Sequence, residues 1–226
     1  MKIMVRSVKI DLHMHSGYSP DSLMPPEKIV SRVEAAGLGC IAITDHNTIE
    51  GALEVKKIAP FCVIVGEEIK SLGGEIIGLY LQKSIPNGLT ALETVLSIKD
   101  QGGLVSIPHP FDYFRRSVIS KRALGEILPL VDIVESFNAR NTFQKSNIRA
   151  AELAVNNNIL TTAVSDAHTL VEIGRTYVCV NEFDGSPQGL KDSLSNGRLV
   201  TNAINPMIHV LTSSTKIIKR LGIRNW

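Results

Sequence analysis

Short runs of apolar, mostly β-branched residues alternate along this chain with longer stretches of mixed polarity. Val8-Lys9-Ile10-Asp11-Leu12 reads as a first strand, followed by a loop over 13–25. Pro25-Pro26-Glu27 then opens a helix that runs through Ala36 and closes at Gly37, since proline suits the first turn and glycine the position past the end. Cys40-Ile41-Ala42-Ile43-Thr44 predicts a second strand, 48–58 a helix, and Val63-Ile64-Val65 a third strand. Residues 73–81 predict a further strand or a hairpin. Beyond them follow a helix over 89–100, a strand over 104–107, a helix over 120–128 and a strand over 131–136. A helix over 146–157 and a strand over 159–165 complete the series. Strands alternating with helices imply a parallel sheet with helical crossovers. The units are too many for a small open sheet, and no Gly-x-Gly-x-x-Gly follows the first strand. The expected fold is therefore an α/β protein built as a (β/α) barrel.

The chain of 226 residues fits one domain, 1–226, ending in a short basic tail over 207–226 that is expected to form a surface helix. Hydrophobic residues make up 44% and charged residues 20%, which predicts a packed core and excludes disorder. The formal charge of +2 is too small to argue for nucleic-acid or membrane partners on electrostatics alone. No apolar run approaches the ~18 residues of a membrane span, and no signal peptide opens the chain, so a cytoplasmic location is expected. Cys40, Cys62 and Cys179 are widely separated without a Cys-x-x-Cys spacing, and they read as reduced core residues in buried strands.

The chemistry is concentrated in the histidines. Five of the six fall in His13-Met14-His15, Asp45-His46, Pro108-His109-Pro110 and Asp166-Ala167-His168, each directly after an apolar run. Imidazoles beside carboxylates suit divalent cations. His13, Asp45, Glu68, His109 and Asp166 all lie at or just past the C-terminal ends of predicted strands, the face on which barrels build their sites. His13 and His15 are two apart, so a strand points both the same way. Asp166 and His168 repeat that spacing. Glu68, in Gly66-Glu67-Glu68-Ile69, is placed to bridge two cations. Together these residues read as one polynuclear metal site. His209 stands apart and reads as a surface or packing residue.

Asp11-Leu12-His13-Met14-His15-Ser16, Ile43-Thr44-Asp45-His46-Asn47-Thr48, Pro108-His109-Pro110 and Ser165-Asp166-Ala167-His168 resemble the four motifs of the PHP domain (polymerase and histidinol phosphatase) over about residues 8–200. The resemblance implies a distorted seven-stranded (β/α) barrel, similar to a TIM barrel. It also implies a cluster of two or three divalent metal ions (zinc, manganese, iron or magnesium) and hydrolysis of phosphate esters. Carried over by position, His13, His15, Glu68 and Asp166 would hold a first metal. Glu68 would bridge to a second that also takes His109, and Asp21, His46 and His168 would hold a third. Asp21 has a second reading as a turn residue beside Pro20. Many relatives supply another histidine to the second metal, yet residues 69–108 contain none. Glu75 is either its substitute or an ordinary strand residue.

Two cations about 3.5–4 Å apart activate a water and clamp the attacked phosphoryl group. Glu68, His109 and Asp166 are thereby the candidate catalytic residues, with Arg140 as a charge partner for the phosphate and Arg115, Arg116 and Arg175 as further candidates. Glu135 and Asn138 are placed to support ligands from behind, and Asp45 to orient His46. The expected substrate is a phosphorylated small molecule or a nucleotide or oligonucleotide end, with no membrane and no obligate protein partner. The lack of a basic, aromatic-rich surface stretch favours the small substrate. Two other classes compete. An amidohydrolase-like barrel also begins with His-x-His but lacks the Asp-His after the second strand. A non-catalytic metal-stabilised module that binds nucleotides or a partner is favoured by the missing second-site histidine.

Overall fold

The computed structural model describes residues 6–204 together with Thr215 and Lys219; His209 and the tail beyond 207, apart from those two positions, lie outside the described residues. The strands are β1 (Ser7–Asp11), β2 (Cys40–Ile43), β3 (Cys62–Ser71), β4 (Gly74–Leu79), β5 (Leu104–Ile107), β6 (Ile133–Asn138), β7 (Leu160–Val164), β8 (Tyr177–Asn181) and β9 (Arg198–Val200). The helices are α1 (Pro26–Ala36), α2 (Glu50–Ile58), α3 (Ala91–Lys99), α4 (Lys121–Ile127), α5 (Gln144–Asn157) and α6 (Pro187–Leu194). Local chemistry bounds the helices, at Gly37 as expected. Gly37 closes α1 in the left-handed conformation, at φ 67°, and Thr90 with Glu93 forms a reciprocal capping box at the start of α3.

The sheet order is β7-β6-β5-β4-β3-β2-β1-β8-β9, so the first seven strands follow one another in sequence order. The two ends of that series meet at a parallel bridge between Met14 and Ala167, where the His15 N–H donates to the Ala167 carbonyl at 2.8 Å. The result is a nearly closed, distorted barrel. Beyond the seven expected strands, β8 and β9 add an antiparallel extension to the free edge of β1.

The parallel sheet expected from the alternation is interrupted at β4, where the strand or hairpin expected over 73–81 forms a hairpin with β3 and is antiparallel to both β3 and β5. Only Leu72 and Gly73 connect β3 to β4, and a parallel pairing needs a crossover of about a dozen residues or more. Gly74, at φ 126°, opens β4 where an added Cβ would stand 2.3 Å from the Cα of Ile119, so no side chain fits that turn. The hairpin carries β3 beyond the barrel rim. Glu68 therefore lies inside a ten-residue strand and not past the end of a short one.

Side chains along each strand alternate between two apolar layers. Ile41 and Ile43 of β2 pack with Ile29, Val33 and Val55 from the outer helices. Cys40 and Ala42 join Ile10, Ile64, Ile77 and Ile133 in the barrel interior, which Leu190 and Leu194 of α6 help to fill. That interior layer also brings two sequence-distant thiols together. Cys40 and Cys62 are register partners on β2 and β3, both free thiols, with the Cys40 Sγ donating to the Cys62 Sγ at 3.1 Å. Among the described residues no helix is long and apolar enough to cross a membrane.

Candidate metal centre

Strand pairing continues past the ends of the regular strands and aims the ligand side chains inward. The chain at Met14 is held on one side by Ala167 and on the other by the Thr44 N–H, which donates to the Met14 carbonyl at 2.9 Å. His46 forms a bridge to Glu68, so the segment after β2 is tied to β3 at the rim. His109 and Asp166 both take positive φ, 28° and 51°, a conformation that costs on the order of 1–3 kcal/mol and persists only where surrounding contacts enforce it. For His109 one such contact is its backbone N–H, which donates to Glu135 Oε2 at 2.9 Å.

At the centre, His13, His15, Glu68 and Asp166 are all completely buried. His13 Nε2 and His15 Nε2 stand 3.0 Å apart. His13 Nε2 lies 3.6 Å from Glu68 Oε2 and 3.4 Å from Asp166 Oδ1; His15 Nε2 lies 3.4 Å from each of the same two oxygens. Donors held at about 2.1 Å from one cation are separated by roughly 3.0–3.4 Å, so these four atoms have the spacing of a single coordination shell. Glu68 Oε2 and Asp166 Oδ1 are also buried without a hydrogen-bond partner among the described residues. A buried carboxylate oxygen left in that state is costly unless a cation satisfies it. The donor set therefore fits a divalent metal.

Two further donor groups flank this one. Glu68 Oε1, the other oxygen of the same carboxylate, is 3.1 Å from His109 Nε2. Glu75, only 6% exposed, comes within 3.8 Å of both His109 and His46. On the other side Asp21 Oδ2 lies 3.3 Å from both His46 Nε2 and His168 Nε2. Asp21 is thus turned into the site and not outward from a surface turn. The structure brings together all eight residues expected as ligands.

Charge follows the same arrangement. Burial opposes the charged form of His13, yet Asp166, Glu135 and Glu68 hold its pKa well above the ordinary value. Burial likewise opposes His46, and Glu68, Asp21 and Glu75 raise it to about 9. His168 is lowered to about 3 by burial and by His15, against the pull of Asp21. Glu68 and Asp166 sit well below the carboxylate range despite burial, with His46 and His13 acting on Glu68, and Arg115 and His13 on Asp166. Without a metal, histidines and one arginine supply the positive charge that these carboxylates require.

Supporting contacts fix the rings. His13 Nδ1 is 2.6 Å from Glu135 Oε1, and His15 Nδ1 is 3.2 Å from Ser19 Oγ, which donates to Asp21 at 2.8 Å. His168 Nδ1 donates to the Asp166 carbonyl at 2.8 Å. In each case Nδ1 is engaged and Nε2 faces the cluster, as metal-binding histidines require. Asn138 Nδ2 donates to Glu135 at 2.9 Å and to Asp166 at 3.2 Å. Asp45 was expected to orient His46; its carboxylate instead accepts the Ser16 N–H at 2.6 Å and the Ser16 hydroxyl at 2.5 Å, pinning the turn after His15. Gly51 makes room for that pair, because a Cβ there would lie 2.0 Å from Asp45 Oδ2.

Arg140 is buried, and its guanidinium meets Glu172 Oε1 at 2.8 Å. The guanidinium that touches a candidate ligand is Arg115's, bonded to Asp166 Oδ2 and held by Asp112 at 3.1 Å. Two supports went unnoticed in the sequence. Glu172 accepts the His168 N–H at 3.0 Å and the Thr169 N–H and hydroxyl at 2.8 Å each. Thr169-Leu170-Val171-Glu172 carries the Thr-x-x-Glu capping pattern, a signal that could have found it. Asp11 accepts the Ser165 N–H at 3.1 Å, tying the chain after β7 to β1, and burial raises its pKa to about 7. Nothing local in the sequence distinguishes it from a surface strand residue.

Comparison with known proteins places this geometry in context. The PHP domain matches residues 11–107, and the PHP-associated region matches residues 144–199. An uncharacterized protein of Methanocaldococcus jannaschii is 43% identical over 147 residues, covering 58% of this chain and 82% of that protein. Among solved structures, a two-domain protein of Bacteroides vulgatus containing a predicted PHP-like metal-dependent phosphoesterase aligns with a TM-score of 0.70 at 20% identity, over 84% of this chain and 63% of the other. The lesion-specific endonuclease Q of Pyrococcus furiosus aligns with a TM-score of 0.65 at 18% identity, over 89% of this chain and 60% of the other.

Proposed function

The chain belongs to the PHP domain family, and from that premise we propose that it is a metal-dependent phosphoesterase, cleaving a phosphate ester with an activated water at a site of two or three metals. Membership supports a metal-dependent hydrolase; the phosphate ester is our reading of the site. The observation that carries it is Glu68, whose two oxygens face different donor groups, Oε2 toward His13 and His15 and Oε1 toward His109. A carboxylate so placed links two cation positions.

We assign His13, His15, Glu68 and Asp166 to the first metal, Glu68, His109 and Glu75 to the second, and Asp21, His46 and His168 to the third. Glu75 takes the place of the histidine absent from 69–108, and its carboxylate inclines the second position toward hard cations such as manganese or magnesium. Divalent ions bound there lower the pKa of water toward neutrality and polarise the phosphoryl group. Around them Glu135 and Ser19 hold the His13 and His15 rings in one tautomer, and Glu172 holds the turn that carries His168. Arg115, 19% exposed in its side chain, is the guanidinium assigned to the substrate's phosphoryl oxygens. Arg140 acts through Glu172 and is a positioning residue.

The test is metal content by elemental analysis, paired with hydrolysis of p-nitrophenyl phosphate and bis-p-nitrophenyl phosphate with added manganese or zinc. Two or more metals per chain, with turnover lost in Glu68→Ala and His109→Ala, is the expected result. Stoichiometric metal without turnover on any phosphoester would identify a binding module instead, and absence of metal would overturn the assignment.

A further inference from the structure

Three aromatic rings form an exposed cluster that the hydrolytic chemistry leaves unused. Tyr113, Phe114 and Phe143 are 80%, 62% and 49% exposed. Phe114 and Phe143 stack with centroids 5.5 Å apart and planes inclined by 30°. Tyr113 stands edge-on to both, at 5.5 Å from Phe114 and 6.2 Å from Phe143. Isolated exposed rings are ordinary, but a contiguous aromatic patch drawn from two separate loops marks a binding surface.

Both loops are anchored to the same residue of the metal centre. Arg115, next to Phe114, bonds to Asp166. On the second side Asn138, the last residue of β6, also bonds to Asp166, and Asn147 of α5 accepts the Asn138 N–H and the Asn141 side chain, which closes the turn that carries Phe143. Tyr113 is four residues from His109, so their Cα atoms are at most about 14 Å apart even along an extended chain. The basic residues Arg116, Lys145 and Arg149 are exposed and lie close in sequence to the rings. Neutral rings on a phosphoester site, edged by cations, match a ligand that carries a planar base together with phosphates.

We propose that Tyr113, Phe114 and Phe143 form a base-stacking platform beside the metal centre, which makes the substrate class a nucleotide or the end of a nucleic-acid strand. The proposal deepens the phosphoesterase reading and rests on it for the position of the cleaved bond. This departs from the preference for a small phosphorylated substrate drawn from the sequence. A basic aromatic surface exists, assembled from Tyr113-Phe114-Arg115-Arg116 and from Phe143 with Lys145 and Arg149.

The test combines binding and turnover on the full chain. A short single-stranded oligonucleotide containing 2-aminopurine reports stacking by fluorescence quenching whether or not hydrolysis occurs. Phe114→Ala and Tyr113→Ala/Phe143→Ala are expected to weaken its binding about 5- to 150-fold, the range for loss of base stacking, while Phe114→Trp retains it. The same variants should raise KM for a nucleoside monophosphate and leave hydrolysis of ribose 5-phosphate unchanged. A larger loss on the oligonucleotide than on the monophosphate identifies a strand end; equal losses identify a mononucleotide. Unaltered quenching in the variants, or equal losses on ribose 5-phosphate and on nucleotides, would overturn the platform. Quenching that depends on the rings without turnover on any substrate would leave the platform standing and overturn the phosphoesterase reading instead.

Discussion

His13 Nδ1 lies 2.6 Å from Glu135 Oε1, and the second oxygen of that carboxylate accepts the backbone N–H of His109 at 2.9 Å. One buried carboxylate thus orients the ring proposed for the first metal and fixes the strained backbone of the residue proposed for the second. Glu135→Gln keeps the shape and removes the charge. Loss of such a support typically weakens metal binding about 10- to 100-fold. Competition with a fluorescent chelator measures this directly, and an unchanged affinity would show that Glu135 is only a packing residue.

Metal removal should lower stability, because Glu68 Oε2 and Asp166 Oδ1 are buried without hydrogen-bond partners among the described residues. At a free metal concentration about 1,000-fold above Kd, binding contributes about 4 kcal/mol, or roughly 8–16 °C in Tm for a domain of this size. Thermal melts with manganese and with EDTA give the increment. Glu68→Ala, which removes a donor shared by two of the three proposed positions, is expected to reduce it, and a metal-dependent increment of wild-type size in that variant would contradict the central placement of Glu68.

The pair formed by Arg140 and Glu172 has side chains only 3% and 0% exposed. Breaking a buried pair by removing one partner costs about 3–5 kcal/mol, since the other charge is left uncompensated. Glu172→Ala also strands the N–H groups of His168 and Thr169. Urea denaturation should show a loss of that size for each single variant. The double variant Arg140→Met/Glu172→Leu should lose less than the sum, and strict additivity would mean that the two residues act independently.

Cys62 should be the reactive thiol. The Cys40 thiol donates to Cys62 across 3.1 Å and, against the opposing effect of burial and with help from Lys56, lowers its pKa to about 7. The thiolate forms as pH rises through that value and is lost as pH falls below it. Alkylation by iodoacetamide, followed by mass spectrometry, should therefore show a Cys62 rate with a midpoint near 7. In Cys40→Ala the midpoint should move up toward the ordinary thiol value, about 8.5. An unshifted midpoint would mean that the hydrogen bond does not set the acidity.

Much of the barrel and most of the candidate ligands that it gathers were legible in the chain, because both rest on short-range signals. Strand and helix periods are local, as are glycine and proline stops, and the ligand pairs His13/His15 and Asp166/His168 need only the two-residue repeat of an extended chain. What remained hidden depends on partners far away in sequence. The pairing of β4 with β3 on one side and with β5 on the other placed Glu68 within β3, opposite Ile77. Strand register set Cys40 against Cys62, and barrel closure at Met14 and Ala167 brought the first and last motifs together.

Arginine contacts likewise depend on reach and burial. Arg140 and Arg115 follow equally plausible strands, yet one meets Glu172 in the interior and the other Asp166 at the metal centre. The aromatic cluster required two loops separated by about thirty positions to converge on Asp166, which no window of sequence displays. The sequence by itself determined the kinds of element and the metal-binding chemistry, because these depend on residue type and near-neighbour spacing. Only the tertiary structure decided which carboxylate supports which ring and which aromatic side chains cluster, because those depend on register and closure, set by the packing of the whole barrel.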